Sequence, residues 1–439
     1  MIDIMLILSC LNQCLDKTSV RRLSCIAEGL LAMTGRVTML GLSRWTARGG
    51  SYRTVQRFFN TVLNWSQLHW LLIREHLLGD DTEWILAGDE VVVSKSGKKT
   101  SGLDRFFSSL YGKPIPGLCF LSLSLINVQR RSSSPLRLEP IVKAPAASCP
   151  KAPKAARRTR RGRPKDSPNR NHRDVSLSPY LQFVQALLRQ VLALVCQRLT
   201  IRYFVFDGAF GHNQALQMVR RTGLHLVSKL RHNAALYLPY DGPYSGRGPR
   251  RKYGTKLDYR QLPVRFLTAT STARQIRTDI YQMAVWHKTF PDLLNVVVIV
   301  KTNLRTGAHA HVVLFSSDLE LDAETLITYY QLRFQIEFNF RDAKQYWGLE
   351  DFMVVNPTPV YNSANLAMFM SNLAQVLIRP FREDCPTFSI NDLKAWYRGR
   401  KYVVEALKSL PQMPESIIID QVIDQAAQLG RINQPLKAA

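Results

Sequence analysis

The sequence predicts a mixed α/β fold whose sheet is assembled from separated pieces of chain, with helical regions at both ends. Three patterns point there. Short apolar runs near residues 85–93, 118–128 and 201–206 have strand length and bound an amphipathic helical stretch at 179–198. Residues 1–80 and 357–439 repeat Leu, Ile, Ala and Trp at three- and four-residue spacing. Between the first strands and that helical stretch, residues 143–174 carry eleven Lys/Arg and two Asp with five prolines, too polar to pack.

The chain has 439 residues, 46% hydrophobic, and is long enough for about three domains. Its 59 Lys+Arg against 33 Asp+Glu give a net charge of +26. Such an excess calls for a polyanionic partner, nucleic acid before membrane surface. The seven cysteines are scattered, with no C-x-x-C pair, which argues against a zinc ribbon and for reduced thiols in a cytoplasmic setting. Met1 to Leu15 lacks the basic start of a signal peptide, and no run of 18 apolar residues exists, so no membrane partner is expected.

Along the chain, residues 1–80 form a helical DNA-binding or dimerisation region. Arg44, Arg48, Arg53 and Arg57 are interleaved with aromatics, and helix starts are expected at Ser43 and Ser51. Residues 81–142 hold three strands: Trp84–Val93, Leu118–Val128 with its Leu/Ser alternation, and Leu136–Val142. The basic loop of 143–174 is centred on Arg160-Arg161-Gly162-Arg163-Pro164-Lys165. That centre is similar to the Gly-Arg-Pro core of minor-groove AT-hooks, and it suits a non-specific phosphate-binding arm equally. Arg161, Arg163 and Lys165 are its candidate DNA contacts.

Residues 175–235 supply the helix at 179–198, a strand at 201–206 ending in Asp207, a helix at 212–221 and a strand at 224–229. Residues 236–317 read as a β-rich insertion with strands at 280–286, 295–300 and 311–315. It opens on a Gly/Pro-rich loop with Arg250, Arg251 and Lys252, further candidates for DNA. Residues 318–356 carry one long helix, and 357–439 a helical C-terminal region.

Three acids fall at telling places in this order. Asp89 lies inside the apolar run Ile85–Val93, where an unpaired charge costs several kcal/mol and a divalent cation would relieve it. Its neighbour Glu90 is the alternative. Asp207 stands at the carboxyl end of its strand, where α/β sheets place chemistry; capping the next helix is its plainer role. Glu337 sits on the helix of residues 329–344. The order of strands, helices and acids is that of a ribonuclease-H-like core interrupted by a β-rich insertion.

In that helix Tyr330, Arg333, Glu337 and Lys344 fall within an arc of roughly 60°, beside a core stripe of Leu332, Ile336, Phe340, Ala343 and Trp347. The plain alternative is an Arg333–Glu337 ion pair on a solvated face. The spacing Y-x2-R-x3-E-x6-K resembles the signature of bacterial insertion-sequence DDE transposases of the tyrosine–arginine–glutamate–lysine type (insertion-sequence family four). Asp207-Gly208-Ala209-Phe210 is similar to that family's second-aspartate motif, and Lys95-Ser96-Gly97-Lys98-Lys99 follows the first acid in the family's manner. Glu90-Val91 stand where the family often has Thr.

The resemblance implies cut-and-paste transposition: end cleavage and strand transfer by Asp89, Asp207 and Glu337 with two Mg²⁺ or Mn²⁺ ions. It implies phosphate contacts from Tyr330, Arg333 and Lys344, and Trp286 stacking on a flipped base, with core packing as the other use of that ring. Double-stranded DNA is the implied partner, bound by a homodimer in the bacterial nucleoid. A metal-dependent nuclease on the same fold, or an inactive DNA-binding scaffold, are the competing readings.

Overall fold

The computed structural model describes residues 3–46, 50–80, 83–108, 111–143, 172–244, 246, 248–411 and 415–433. Arg161, Arg163 and Lys165 lie outside the described residues.

The chain opens with helices α1 (Ile4–Leu8), α2 (Lys17–Ala32), α3 (Met39–Trp45), α4 (Tyr52–Asn60) and α5 (Trp65–His76). Strands β1 (Trp84–Ser94), β2 (Asp104–Ser108), β3 (Lys113–Asn127) and β4 (Ser132–Pro140) follow, then α6 (Pro179–Val195), β5 (Tyr203–Val205), α7 (Asn213–Arg220) and β6 (His225–Leu230). Next come β7 (Leu236–Pro239), β8 (Tyr253–Lys256), β9 (Leu267–Ala273), β10 (Ile276–His287), β11 (Leu294–Asn303) and β12 (His309–Ser316). Helices α8 (Ala323–Leu332), α9 (Gln335–Tyr346), α10 (Pro357–Asp384), α11 (Ile390–Leu407) and α12 (Ser416–Gln428) complete the fold.

One mixed sheet runs β2-β3-β1-β5-β6-β12-β11-β10-β7-β8, with β4 also on β3 and β9 on β10. β1 is antiparallel to β3 and parallel to β5, which is parallel to β6. The order β4-β3-β1-β5-β6 is consistent with a ribonuclease-H-like core. The strands of residues 236–317 continue that sheet, because β12 pairs with β6 from Val313–Leu230 to Ser316–Val227.

β1 is buried on both faces, which explains its near-continuous apolar run. Ile85, Ala87, Val91 and Val93 join one core with Leu332, Ile336, Phe340, Ala343 and Trp347 and with buried residues of α2, α5 and α10. Leu86 joins a second core with Phe204, Phe206 and the apolar stripe Leu181, Val184, Leu188 and Val191 of α6. Gly88 lets this second layer close up: a Cβ there would meet the Phe206 ring at 2.5 Å.

Four expectations are corrected. The single helix of residues 329–344 is two helices, α8 and α9, broken at Arg333–Phe334. No Gly or Pro breaks it; the backbone tightens into i→i+3 bonds, Phe334 N–H to Gln331 O and Glu337 N–H to Phe334 O, each 3.0 Å. Ser43 does not start a helix. Thr38 caps α3, five residues before Ser43, and the Ser43 hydroxyl donates back to Leu40 O within α3; Ser51 does cap α4. The strand expected at 136–142 begins earlier, at Ser132. The strands β2, β7, β8 and β9 were absent from the sequence pattern; β9 is exposed along its whole length, so no apolar alternation marks it.

Candidate active site

The parallel register sets the first two acids. Leu86 pairs with Phe204 and Ala87 with Val205. Two residues further along both segments, Asp89 and Asp207 are level with each other. Asp89 is still within β1, opposite Ser122 of β3. Asp207 has left β5 and caps a short 3-10 turn, Gly208–Phe210, by accepting the Ala209 N–H at 3.0 Å. Ser228 of β6 donates to the Asp207 carbonyl at 2.6 Å. The turn lies tight on β6: a Cβ at Gly211 would fall 2.3 Å from the Lys229 carbonyl.

Strand alternation separates Asp89 from Glu90. Asp89 faces the α8–α9 side, where Arg333 donates to its Oδ2. Glu90 faces the opposite layer, where it accepts from the Tyr180 hydroxyl of α6 and, at 3.8 Å, from the Cys119 thiol. Glu337 enters on the first turn of α9 and accepts from Arg333 Nη2 at 3.3 Å. One guanidinium thus bridges Asp89 and Glu337, with the arginine side chain 14% exposed and the Asp89 side chain 18% exposed.

Burial pushes the Asp89 carboxyl up to about 6; Arg333 pulls it down, and the like charges of Asp207 and Glu337 push it further up. Burial also raises the Tyr330 hydroxyl, which senses Arg333, Asp207 and Asp89. These mutual fields place Tyr330, Arg333 and the three acids in one neighbourhood. Among the described residues no group of three His, Cys, Asp or Glu is gathered closely enough to hold a metal ion. Arg333 stands between Asp89 and Glu337; the three carboxylates are oxygen donors of the kind a hard divalent cation takes, so the donor chemistry, though not the present spacing, fits such an ion.

Lys344 has a different setting from the one expected. Its amine donates to Val92 O of β1 at 3.0 Å and pairs with Glu350 at 2.8 Å, which pins α9 to the strand that carries Asp89. Lys95 makes a second clamp that sequence reasoning did not assign. It donates to Glu350 O and Phe352 O at 2.9 and 2.8 Å and sits 3.5 Å from the Phe352 ring centre, with burial pushing its amine down to about 8. The Tyr180–Glu90 pair was missed too; the only sequence signal was a second acid beside Asp89.

The remaining candidates lie elsewhere. Trp286, half-buried on β10, meets Tyr253 edge-on at 6.2 Å, with the Lys252 amine 5.2 Å from its ring centre. Arg251 lies over Tyr240 at 4.9 Å and Arg250 over Tyr244 at 5.5 Å. Four strand steps along the sheet separate β10 from β5, about 19 Å at the usual spacing. The structure therefore gathers two groups: the acids with Tyr330 and Arg333, and a cation–aromatic group on the loop between β7 and β8 and on β8 and β10.

No helix among the described residues is long and apolar enough to cross a membrane. No curated protein matches the chain. The family model described as "DDE superfamily endonuclease" matches residues 10–290, a span that contains Asp89 and Asp207 and stops before Glu337. That match covers more than half of the 439 residues, and the chain belongs to the DDE endonuclease superfamily.

Proposed function

We propose that this DDE enzyme is a DNA transposase of the tyrosine–arginine–glutamate–lysine type, cutting the ends of an insertion sequence and joining them to target DNA. The observation that carries the reading is the convergence of Asp89, Asp207 and Glu337, from three separate elements, on the neighbourhood of one arginine. Family membership implies a DNA substrate, and the +26 charge suits it.

Asp89, Asp207 and Glu337 would hold divalent metal, Mg²⁺ or Mn²⁺, which when bound in a pair supplies activation of the attacking oxygen and stabilisation of the leaving oxygen. The chain's own residues do the positioning. Asp207 is half-buried and precedes the exposed Gly208 and Ala209, so DNA can approach it from that side. Tyr330 and Arg333 border the acids and would grip phosphates at the cut, Arg333 with its planar fork. Lys344 acts through its hold on β1 as well as through charge. Trp286 with Lys252, Arg250 and Arg251 would bind DNA on the strands of 236–317, read here as the insertion between the core and its last helix. Residues 1–80, 357–439 and the basic segment 143–174 would supply further DNA contacts and the dimer expected at paired ends.

A strand-transfer assay tests this, with a pre-cut end of the element, a supercoiled target plasmid and Mg²⁺. Joined products that disappear with Asp207→Ala are the expected result. Asp207-dependent nicking without joining would make the chain a nuclease instead.

A further inference from the structure

Arg333 is held in an arrangement that is incomplete on its own terms. Its guanidinium bridges Asp89 and Glu337, yet its Nε is buried without a hydrogen-bond partner. A buried donor left unpaired weakens the pose. The residue also stands at the break between α8 and α9, where Ile336 N–H bonds Arg333 O at 3.0 Å in an i→i+3 step. Such a tightened turn inside a helical run often marks a hinge. One of its two carboxylate partners, Glu337, is 42% exposed, so the cluster is open to solvent on that side.

A guanidinium and a divalent cation both need the same thing here: oxygen atoms of Asp89 and Glu337, close together and charged. They cannot both have them in this geometry. We propose that Arg333 is a built-in competitor for the metal. In the DNA-free chain its guanidinium occupies the position between Asp89 and Glu337. A phosphate arriving beside the site takes over the guanidinium's hydrogen bonds, Arg333 turns out, and the carboxylates are released to the cation.

This rests on the metal-binding reading of the acids given above. Its consequence is a coupling: DNA and metal each strengthen the binding of the other, and Arg333 transmits the effect. The free enzyme is thereby kept from loading metal without DNA.

The test is Mn²⁺ binding to the full chain, read from the paramagnetic resonance signal of free Mn²⁺. Without DNA, Arg333→Gln is expected to bind Mn²⁺ at least about tenfold more tightly than wild type, the loss of a competing charge, with Arg333→Lys close to wild type. The gain should vanish in Arg333→Gln with Asp89→Asn. A short DNA duplex should tighten Mn²⁺ binding by wild type, relative to Asp89→Asn with the same duplex, and leave Arg333→Gln unchanged. Equal Mn²⁺ affinity in wild type and Arg333→Gln overturns the competitor and leaves the metal site standing. Absence of Asp89-dependent Mn²⁺ binding in every protein, with and without duplex, overturns the metal site and the competitor together. If Arg333→Gln does not fold, the wild-type response to duplex decides alone: no tightening overturns the proposal.

Discussion

Two regions of this molecule bury polar side chains, and they do it in opposite ways. At the edge of β1, Asp89 and Glu337 share one arginine whose Nε is unpartnered, and Asp207 adds a third like charge. Between α5 and α10 the buried groups are neutral and largely tied to backbone, with His69 Nε2 and Asn372 Oδ1 also without a partner. Asn362 donates to Phe59 O and Thr61 O, both at 2.7 Å, and accepts from the Trp65 indole at 2.8 Å. Asn372 donates to Pro135 O at 2.7 Å and to His69 Nδ1 at 2.9 Å. The seam fixes how α4, α5 and α10 sit on β4; its partners cannot be exchanged. Under the competitor proposal, the acid cluster holds charges whose partner is exchanged. The first arrangement specifies structure, and the second is suited to chemistry.

The comparison can be broken first at the acids. Asp207→Asn or Glu337→Gln should reduce DNA cleavage by more than about 10³-fold while the melting temperature stays near wild type, since Asp207 is only half-buried and the Glu337 side chain is 42% exposed. A large loss of stability would make the cluster structural after all.

Asn362→Ala should do the reverse. It strips a partner from two backbone carbonyls and the buried Trp65 indole, and should cost about 3 kcal/mol in denaturant unfolding. Cleavage per folded molecule should be unchanged.

Gly88→Ala tests the join between the regions. Its Cβ would push on Phe206, beside the point where β1 and β5 bring Asp89 and Asp207 level. A cost of about 1–3 kcal/mol together with slower cleavage is expected; slower cleavage with intact stability would place the effect on geometry alone.

The smallest effect is one of pH. Burial holds the His69 imidazole down at about 3, with its contact at Pro135 opposing. Below the ordinary histidine value of about 6.5, the unfolded chain takes up a proton that the folded chain refuses. This contribution is fully present above about pH 6.5 and is lost as pH falls toward 3, by up to about 1.4 kcal/mol per pH unit. His69→Gln should flatten the slope, as followed by urea unfolding between pH 4 and 7.

Much of the acid cluster could be read from the sequence because it breaks patterns. A carboxylate in the apolar run of β1, another at a strand end, and a motif beside a core stripe all stand out. Leu332, Ile336, Phe340, Ala343 and Trp347 are all buried, as their spacing requires. The break at Arg333 left no trace, since it uses no Gly or Pro and both residues keep right-handed helical dihedrals. The Arg333–Glu337 pair is the i,i+4 contact that the spacing offers, but the Asp89 partner of Arg333 and the Val92 partner of Lys344 were hidden, because they lie more than 240 positions away in the chain. Strands β7 to β9 are short or exposed, and only pairing defines them: β7 and β9 with β10, and β8 with β7.

The most direct test of the central claim, that three carboxylates act as one site, is single-turnover cleavage of supercoiled plasmid in Mg²⁺. Asp89→Asn, Asp207→Asn, Glu337→Gln and the triple variant would be compared in one experiment. The account predicts that each single change costs about as much as all three together, because groups acting as a unit are not additive. Near-wild-type cleavage by any one of the single variants would contradict it.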